Sequence, residues 1–477
     1  MIRPIHYFVL IFILTAVSAH AQEVYTIERA PFSTRAYDEY APVFYGDGLI
    51  FTANKRMDML RKVDGYRGEP PTNIFIVSKT GDESWSKVEL LSDNLRSITY
   101  EGPVTLNKDG NLIYFNRNYD AGNRKVRSNI GIFTAELVNG EWTNIQPFEH
   151  NDPSYNLYHP SLSQDEKKLF FSSDMRGGYG GFDLYVSVFS GGSWSEPVNL
   201  GPNVNTRGND IYPVIHPDGR LYFSSNRHEG FGGYDILYTE EVDGEWVAPV
   251  NPGEPFNSRR NDAQFISNAD YTHGFFTSNS DRLSNNIYEF RLTAPTFDSC
   301  KLQVENNYCF TFYEVGTIDI DTTSFMYEWR IGEGIRIRAK EADYCFSGPG
   351  DYRIQLNVID LLTGEVLFNQ ASYDLTIEDI EQVFISSPDT VLISQVINFD
   401  GTRTYLKNFN VEGFYWDLGD FTRASNPTLT HLYYKPGIYT IRLGVTNNAK
   451  TPEELQKSCS FKHIVVLPPP SMADTEE

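Results

Sequence analysis

Pro160-Ser-Leu-Ser-Gln-Asp-Glu-Lys-Lys-Leu-Phe-Phe-Ser-Ser-Asp174 and Pro213-Val-Ile-His-Pro-Asp-Gly-Arg-Leu-Tyr-Phe-Ser-Ser-Asn226 are two copies of one pattern. Each runs into a glycine-rich hairpin: Arg176-Gly-Gly-Tyr179-Gly-Gly-Phe182-Asp183 in the first, Arg227-His-Glu-Gly-Phe231-Gly-Gly-Tyr234-Asp235 in the second. Weaker copies begin at Pro42 and Pro103, and a fifth lies near Ala263, where Phe275-Phe-Thr-Ser-Asn279 repeats the Phe-Ser-Ser-Asn motif. Trp85, Trp142, Trp194 and Trp246 keep the same beat, 57, 52 and 52 residues apart, each just after a turn. Repetition at a fixed period is the first thing to establish in a chain, because a repeated unit that cannot bury its own faces must stack on its neighbours.

Within one period the pattern reads as four short strands, for example Val214-Ile215, Leu221 to Ser224, Ile236 to Val242 and Trp246 to Val250, separated by Pro-Asp-Gly, Gly-Phe-Gly-Gly and Asp-Gly turns. Four antiparallel strands per period of about 50 residues are the mark of a propeller blade. The expected fold is all-β: a five-bladed propeller over residues 22–295, with six blades open if a degenerate unit hides in the longer first or second period. The fifth unit lacks its Trp-bearing fourth strand. Residues Val24 to Phe32 end in Ala30-Pro31-Phe32-Ser33, much as a fourth strand ends in Glu254-Pro255-Phe256-Asn257, so the N-terminal strand is expected to complete the last blade.

The flanks bound the compartment. Arg3 precedes an apolar run from Tyr7 to Val17 followed by Ala19-His20-Ala21, which reads as a signal peptide over residues 1–21. No later stretch reaches the roughly 20 apolar residues of a transmembrane helix. A formal charge of −23 argues against nucleic acid and anionic lipid as partners. The four cysteines all lie beyond residue 299; of their three possible connectivities, Cys309 with Cys345, inside one domain, is the pairing favoured here. Residues 468–477, a proline run with an acidic tail, read as a linker.

The repeated Phe-Ser-Ser-Asp/Asn and Gly-Gly-aromatic-Asp motifs resemble the WD40-like periplasmic repeats of the TolB type, found in exported envelope proteins of the Bacteroidetes kind. A second resemblance covers residues 381–467. There Phe414-Tyr-Trp416-Asp417-Leu-Gly419-Asp420, Asn426-Pro427 and Pro436-Gly437-Ile-Tyr439 are similar to a polycystic-kidney-disease (PKD) repeat, with Phe421 where that family usually has glycine. Residues 296–380 carry a fainter copy built on Trp329 and Pro349-Gly350-Asp-Tyr352. Both copies alternate apolar and polar residues as a two-sheet, immunoglobulin-like sandwich requires.

No Gly-x-Ser-x-Gly elbow, His-Glu-x-x-His helix, P-loop or dinucleotide fingerprint occurs, so the chain is expected not to be an enzyme. It is expected to hold no cofactor, the alternatives being calcium at Asp417 and Asp420 and a cation held at a blade edge by Asp183 and Asp235. The candidate contact residues are Arg176, Tyr179, Phe182 and Asp183 of one hairpin and Arg227, Phe231, Tyr234 and Asp235 of the next. Asp183 and Asp235 have a plainer use in fixing their own hairpins, and the aromatics in packing between blades. The resulting expectation is a non-enzymatic scaffold or adaptor, periplasmic or outer-membrane-associated, that contacts envelope proteins during assembly or secretion. The alternatives are a polysaccharide-binding exported protein, which the PKD resemblance suggests, and an accessory to a propeller-based hydrolase.

Overall fold

The computed structural model describes residues 24–468 apart from 56–70, 82–83, 98, 120–128, 243, 281–283, 316–323, 333, 421 and 450. The expected signal peptide, most of the proline-rich tail and Phe421 lie outside the described residues. Strands and turns make up the described chain, with a single 3-10 turn at Pro452–Glu454 and no α-helix among them. The contacts divide into two compact units between Ala294 and Pro295.

The first unit is a cycle of antiparallel sheets. The first comprises Glu39–Tyr45, Gly48–Ala53, Asn73–Ser78 and Glu89–Leu90; the second, Glu101–Leu106, Leu112–Asn118, Ile130–Val138 and Glu141–Pro147. Leu157–Leu162, Lys168–Ser173 and Asp183–Ser190 form the third, with Ser193–Trp194 and Val198–Asn199 on its outer strand. Asp210–Ile215, Leu221–Ser225 and Asp235–Thr239 form the fourth, extended by the hairpin bearing Trp246 and by a bridge from Tyr238 to Val250. The fifth holds Asp262–Ser267, His273–Ser278 and Asn286–Leu292, and Tyr25–Arg29 pairs antiparallel with its last strand from Tyr25 opposite Leu292 to Arg29 opposite Tyr288. The N-terminal strand therefore takes the place expected of it. The added length of the first and second periods falls at 56–70 and 120–128, outside the described residues.

Five apolar clusters hold the five joints. Phe115 and Trp142 of the second sheet pack with Ile50 and Ile74 of the first; Tyr114 packs with Leu169 and Tyr185 of the third. Phe170 meets Phe223 across the next joint, and Tyr222 meets Phe265 across the fourth. Phe275 and Ile287 of the fifth sheet share a cluster with Leu49, Phe51 and Phe75 of the first, so the cycle closes on itself. Closure gives each sheet a neighbour on both faces and leaves only short edges at its innermost and outermost strands.

The second unit holds two sandwiches. In the first, a sheet ordered Ile335–Arg338, Phe325–Ile331, Gly350–Asp360, Val366–Ile377 packs on the pair Cys309–Phe312 and Ala342–Cys345, around Trp329, Ile354 and Leu356. In the second, Lys457–Leu467, Gly437–Asn447, Val411–Asp417 and Arg423–Ala424 face the pair Ile397–Asp400 and Thr428–His431, around Trp416, Phe399 and Leu443. Each indole N–H reaches a carbonyl ten residues on, Trp329 to Ala339 at 3.2 Å and Trp416 to Asn426 at 2.7 Å. Disulfides join Cys309 to Cys345 and Cys300 to Cys459, and no cysteine is free.

Candidate functional site

The glycine-rich hairpins of the third and fourth sheets are built twice on one plan. The Asp235 carboxylate accepts the N–H groups of Phe231 at 2.8 Å and Gly232 at 3.2 Å; Asp183 accepts those of Tyr179 and Gly180. Both aspartates are buried and spent on their own turns. The Gly-Gly pairs allow each hairpin to lie directly on the next sheet: a Cβ on Gly180 would strike the carbonyl oxygens of Thr206 and Gly208, and one on Gly232 those of Ser258 and Arg260.

The structure splits the candidate aromatics. Phe182 turns inward and packs against Tyr158 with ring centroids 5.5 Å apart. The Tyr234 hydroxyl accepts the Asn209 amide at 3.0 Å. Tyr179 and Phe231, at equivalent tips of adjacent sheets, stay 49% and 52% exposed. Arg176 and Arg227 are exposed on the same two hairpins, the stem of Arg227 lying over Gly208. A stiffened backbone thus presents two large apolar rings to solvent, a form of preorganisation that lowers the entropic cost of contact.

A second set of groups lines the innermost strands, where four of the five carry a bulge with a non-glycine residue in the left-handed region: Ala41 (φ 59°), His159 (56°), Tyr212 (55°) and Gln264 (48°). Such residues are strained unless their surroundings hold them. Here the neighbouring sheet does so: Ala41 N–H bonds Thr277 Oγ1 at 3.1 Å, His159 N–H bonds Asn116 Oδ1 at 2.8 Å, and Gln264 N–H bonds Ser224 Oγ at 3.3 Å. Tyr40, Tyr158 and Tyr212 gather beside them, and burial raises the phenols of Tyr40 and Tyr212 well above their ordinary value.

Two Ser–His contacts bear on catalysis. His159 Nδ1 lies 2.8 Å from Ser172 Oγ, but burial drives that imidazole down to about 3, leaving a weak base beside a fully buried hydroxyl. At the joint of the fourth and fifth sheets, Ser267 Oγ lies 3.1 Å from His216 Nε2, and His216 Nδ1 lies 2.8 Å from Asp218. The order of partners is that of a hydrolytic triad. The same Nε2, however, lies 3.2 Å from the Asn268 carbonyl oxygen, and both Ser267 and His216 are buried. Against burial, hydrogen bonds from His216, the Arg220 N–H and Tyr271 bring Asp218 down to about 2. The cluster pins two sheets together. Sequence reading missed it because its members come from two sheets and no local motif joins them.

Asp417 and Asp420 accept the N–H groups of Gly419 at 3.0 Å and Thr422 at 3.1 Å, and Asp420 also lies 2.8 Å from His431 Nε2. They hold their own turn. Among the described residues no group of three or more His, Cys, Asp or Glu side chains is placed to hold a metal ion.

Residues 382–461 match the PKD domain family. The chain is 32% identical over 75 residues to collagenase ColA of Clostridium perfringens, a stretch that covers 16% of this chain and 7% of that enzyme. Among solved structures, a puromycin-hydrolyzing peptidase of Mycobacterium tuberculosis aligns at 12% identity and a TM-score of 0.31, covering 58% of this chain and 42% of the other. TolB from Acinetobacter baumannii aligns at 11% identity and a TM-score of 0.29, covering 83% and 63%. The chain is thus an all-β protein carrying a PKD domain. The expectation that it is not an enzyme does not stand: part of the chain matches part of a collagenase, so absent sequence motifs are no ground for exclusion.

Proposed function

We propose that the chain is an exported protein that makes protein contacts in the cell envelope, through the hairpin tips of its ring and through its PKD-like sandwiches. One observation carries the reading: Tyr179 and Phe231 are held exposed on hairpins whose backbones are locked by Asp183 and Asp235. Large aromatics on rigid supports are the residues that dominate binding energy at protein interfaces. Export is supported by the apolar leader in the sequence and by four cysteines all committed to disulfides, which persist in oxidising compartments. The TolB-type motifs and the PKD domain point to the envelope. No helix among the described residues is long and apolar enough to cross a membrane.

The test places a photo-crosslinking residue at Arg176 of the full chain in envelope extract, with and without Tyr179→Ala and Phe231→Ala. The double substitution is expected to weaken capture of a discrete partner about tenfold or more. Unchanged capture would reject the reading. Saturable binding on a glycan array, lost in the same double variant, would transfer the site to a polysaccharide.

A further inference from the structure

The two sandwiches share one plan, and their edge strands are treated differently. Register aligns them: Tyr352 lies opposite Leu375 as Tyr439 lies opposite Ile464, and the two tyrosine hydroxyls each donate to a carbonyl four residues back, Gly348 and Lys435, at 2.9 Å. Ala371, Tyr373 and Leu375 of Val366–Ile377 therefore correspond to Ser460, Lys462 and Ile464 of Lys457–Leu467. In the second sandwich Ser460, Lys462 and Ile464 are all buried, whereas in the first Ala371 is exposed and Tyr373 is 64% exposed.

The second copy shows how such an edge is covered. Its edge strand is covered by two short parallel strands: Thr390–Leu392 lies against Val465 to Leu467, and Lys301–Leu302 against Ser460 and Phe461. Lys462 Nζ donates to the Ser387 carbonyl at 3.0 Å and pairs with Asp389 at 2.7 Å. The segment that would cover the first sandwich in the same way precedes Cys309, and it is committed elsewhere. Cys300 is bonded to Cys459, Phe297 packs on Tyr415 at 5.7 Å, and Gln303 N–H donates to the Phe461 carbonyl at 2.8 Å, all on the second sandwich.

Among the described residues, Val366–Ile377 consequently pairs on one side only, with Gly350–Asp360. Beside it opens a cleft of about 330 Å³ lined by Phe312, Tyr313, Val315, Trp329, Ala371 and Tyr373. An unpaired edge strand of this length is a template for another strand, and an adjoining apolar cleft selects its side chains.

We propose that the Val366–Ile377 edge accepts an extended segment of another polypeptide, running parallel to it as Lys301–Leu302 runs along Lys457–Leu467, with an apolar side chain seated in the cleft. The occupant is a stretch of alternating β-branched or large apolar residues without internal proline, the character of Thr390-Val-Leu392. This site is separate from Tyr179 and Phe231, and neither reading depends on the other.

The experiment uses the full chain and a labelled synthetic peptide with the sequence of residues 389–396. The backbone amides of Val366 to Asp374 that face away from Gly350–Asp360 are expected to exchange fast in the free protein and to become protected as the peptide binds saturably. A peptide carrying Val391→Pro, and a protein carrying Tyr373→Asp, should each lose about tenfold in affinity. Because Tyr373 is exposed, the variant is expected to fold, which the near-UV spectrum checks. The Tyr179→Ala, Phe231→Ala protein should bind the peptide unchanged. Slow exchange of those outward amides in the free protein, or equal binding of the native and proline peptides, overturns the proposal.

Discussion

Asp38 Oδ1 accepts the backbone N–H of Asn285 at 2.9 Å, 247 positions further along the chain. Asp38 N–H in turn donates to Asn54 Oδ1 at 2.9 Å, and Glu39 N–H returns to the Asn285 carbonyl at 2.8 Å. The same circuit appears at two other joints: Phe182 to Asn209 to Asn226, and Tyr234 to Asn261 to Asn279. The closing joint is thus made with the fittings of the internal ones, by residues at opposite ends of the first unit. Asp38→Ala is expected to cost about 1–3 kcal/mol, because it strands a partly buried N–H. Urea unfolding measures the loss, and hydrogen exchange should show it first in Tyr25–Arg29. Equal loss of protection in all five sheets would contradict a joint-specific role.

Acidity should stabilise the ring through Glu101. Burial pushes this carboxyl up to about 7, although Arg117 Nε lies 3.1 Å from it and favours its charge. A folded value above the ordinary 4.5 means that the folded state binds the proton more tightly. The contribution is then fully present below about 4.5 and lost as pH rises through about 7. Glu101→Gln should flatten the slope of unfolding free energy between those values. A slope unchanged in the variant would mean that Glu101 stays ionised throughout.

The ring was legible because its signals are local and repeated: the Phe-Ser-Ser-Asn strands, the Pro-Asp-Gly turns, the spaced tryptophans and the matching ends at Phe32 and Phe256. Phe32 indeed packs on Trp85 at 5.0 Å, as Phe148 packs on Trp194 at 6.0 Å. Burial of polar residues was not legible. The inner strand of the fourth sheet begins at Asp210, four residues before its apolar run, where Thr206 N–H at 2.6 Å and its hydroxyl at 3.0 Å both bond one oxygen of that buried carboxylate. The left-handed residues His159, Tyr212 and Gln264 carry no compositional mark, since the support for their strain comes from neighbouring sheets. The open edge of the first sandwich follows from where residues 295–304 are tied, and cysteine spacing alone leaves that undecided.

Gly232 should tolerate no side chain. An added Cβ would meet the Arg260 carbonyl, which lies on the backbone just before the next sheet and is held by the Gly233 N–H at 3.0 Å. Gly232→Ala is expected to destabilise the ring by about 1–3 kcal/mol through overpacking and to displace the Phe231 tip. Gly244→Ala makes the useful contrast: nothing lies near it, and its φ of 85° makes any cost one of backbone strain. Thermal melts of the two variants, with the fluorescence of Trp246 as a local reporter, compare crowding with strain. A melt of Gly232→Ala equal to that of the parent would disprove close hairpin docking.

The two disulfides should have separable effects. Cys309 and Cys345 lie opposite each other in the small sheet of the first sandwich and close a loop of 36 residues, so replacing both with serine should cost roughly 3–4 kcal/mol, mostly through the entropy of the unfolded chain. Cys300 and Cys459 lie 159 residues apart, and their bond also holds Lys301–Leu302 on the edge of Lys457–Leu467. Removing it should free that segment as well as lower stability. Amides of Ser460 and Phe461 would then gain exchange in Cys300→Ser, Cys459→Ser, while those of the ring would not. If the released segment moved to the open edge of its own sandwich, the 389–396 peptide would lose its site and the outward amides of Val366 to Asp374 would gain protection. Measuring both in one variant asks whether the disulfide keeps that edge open.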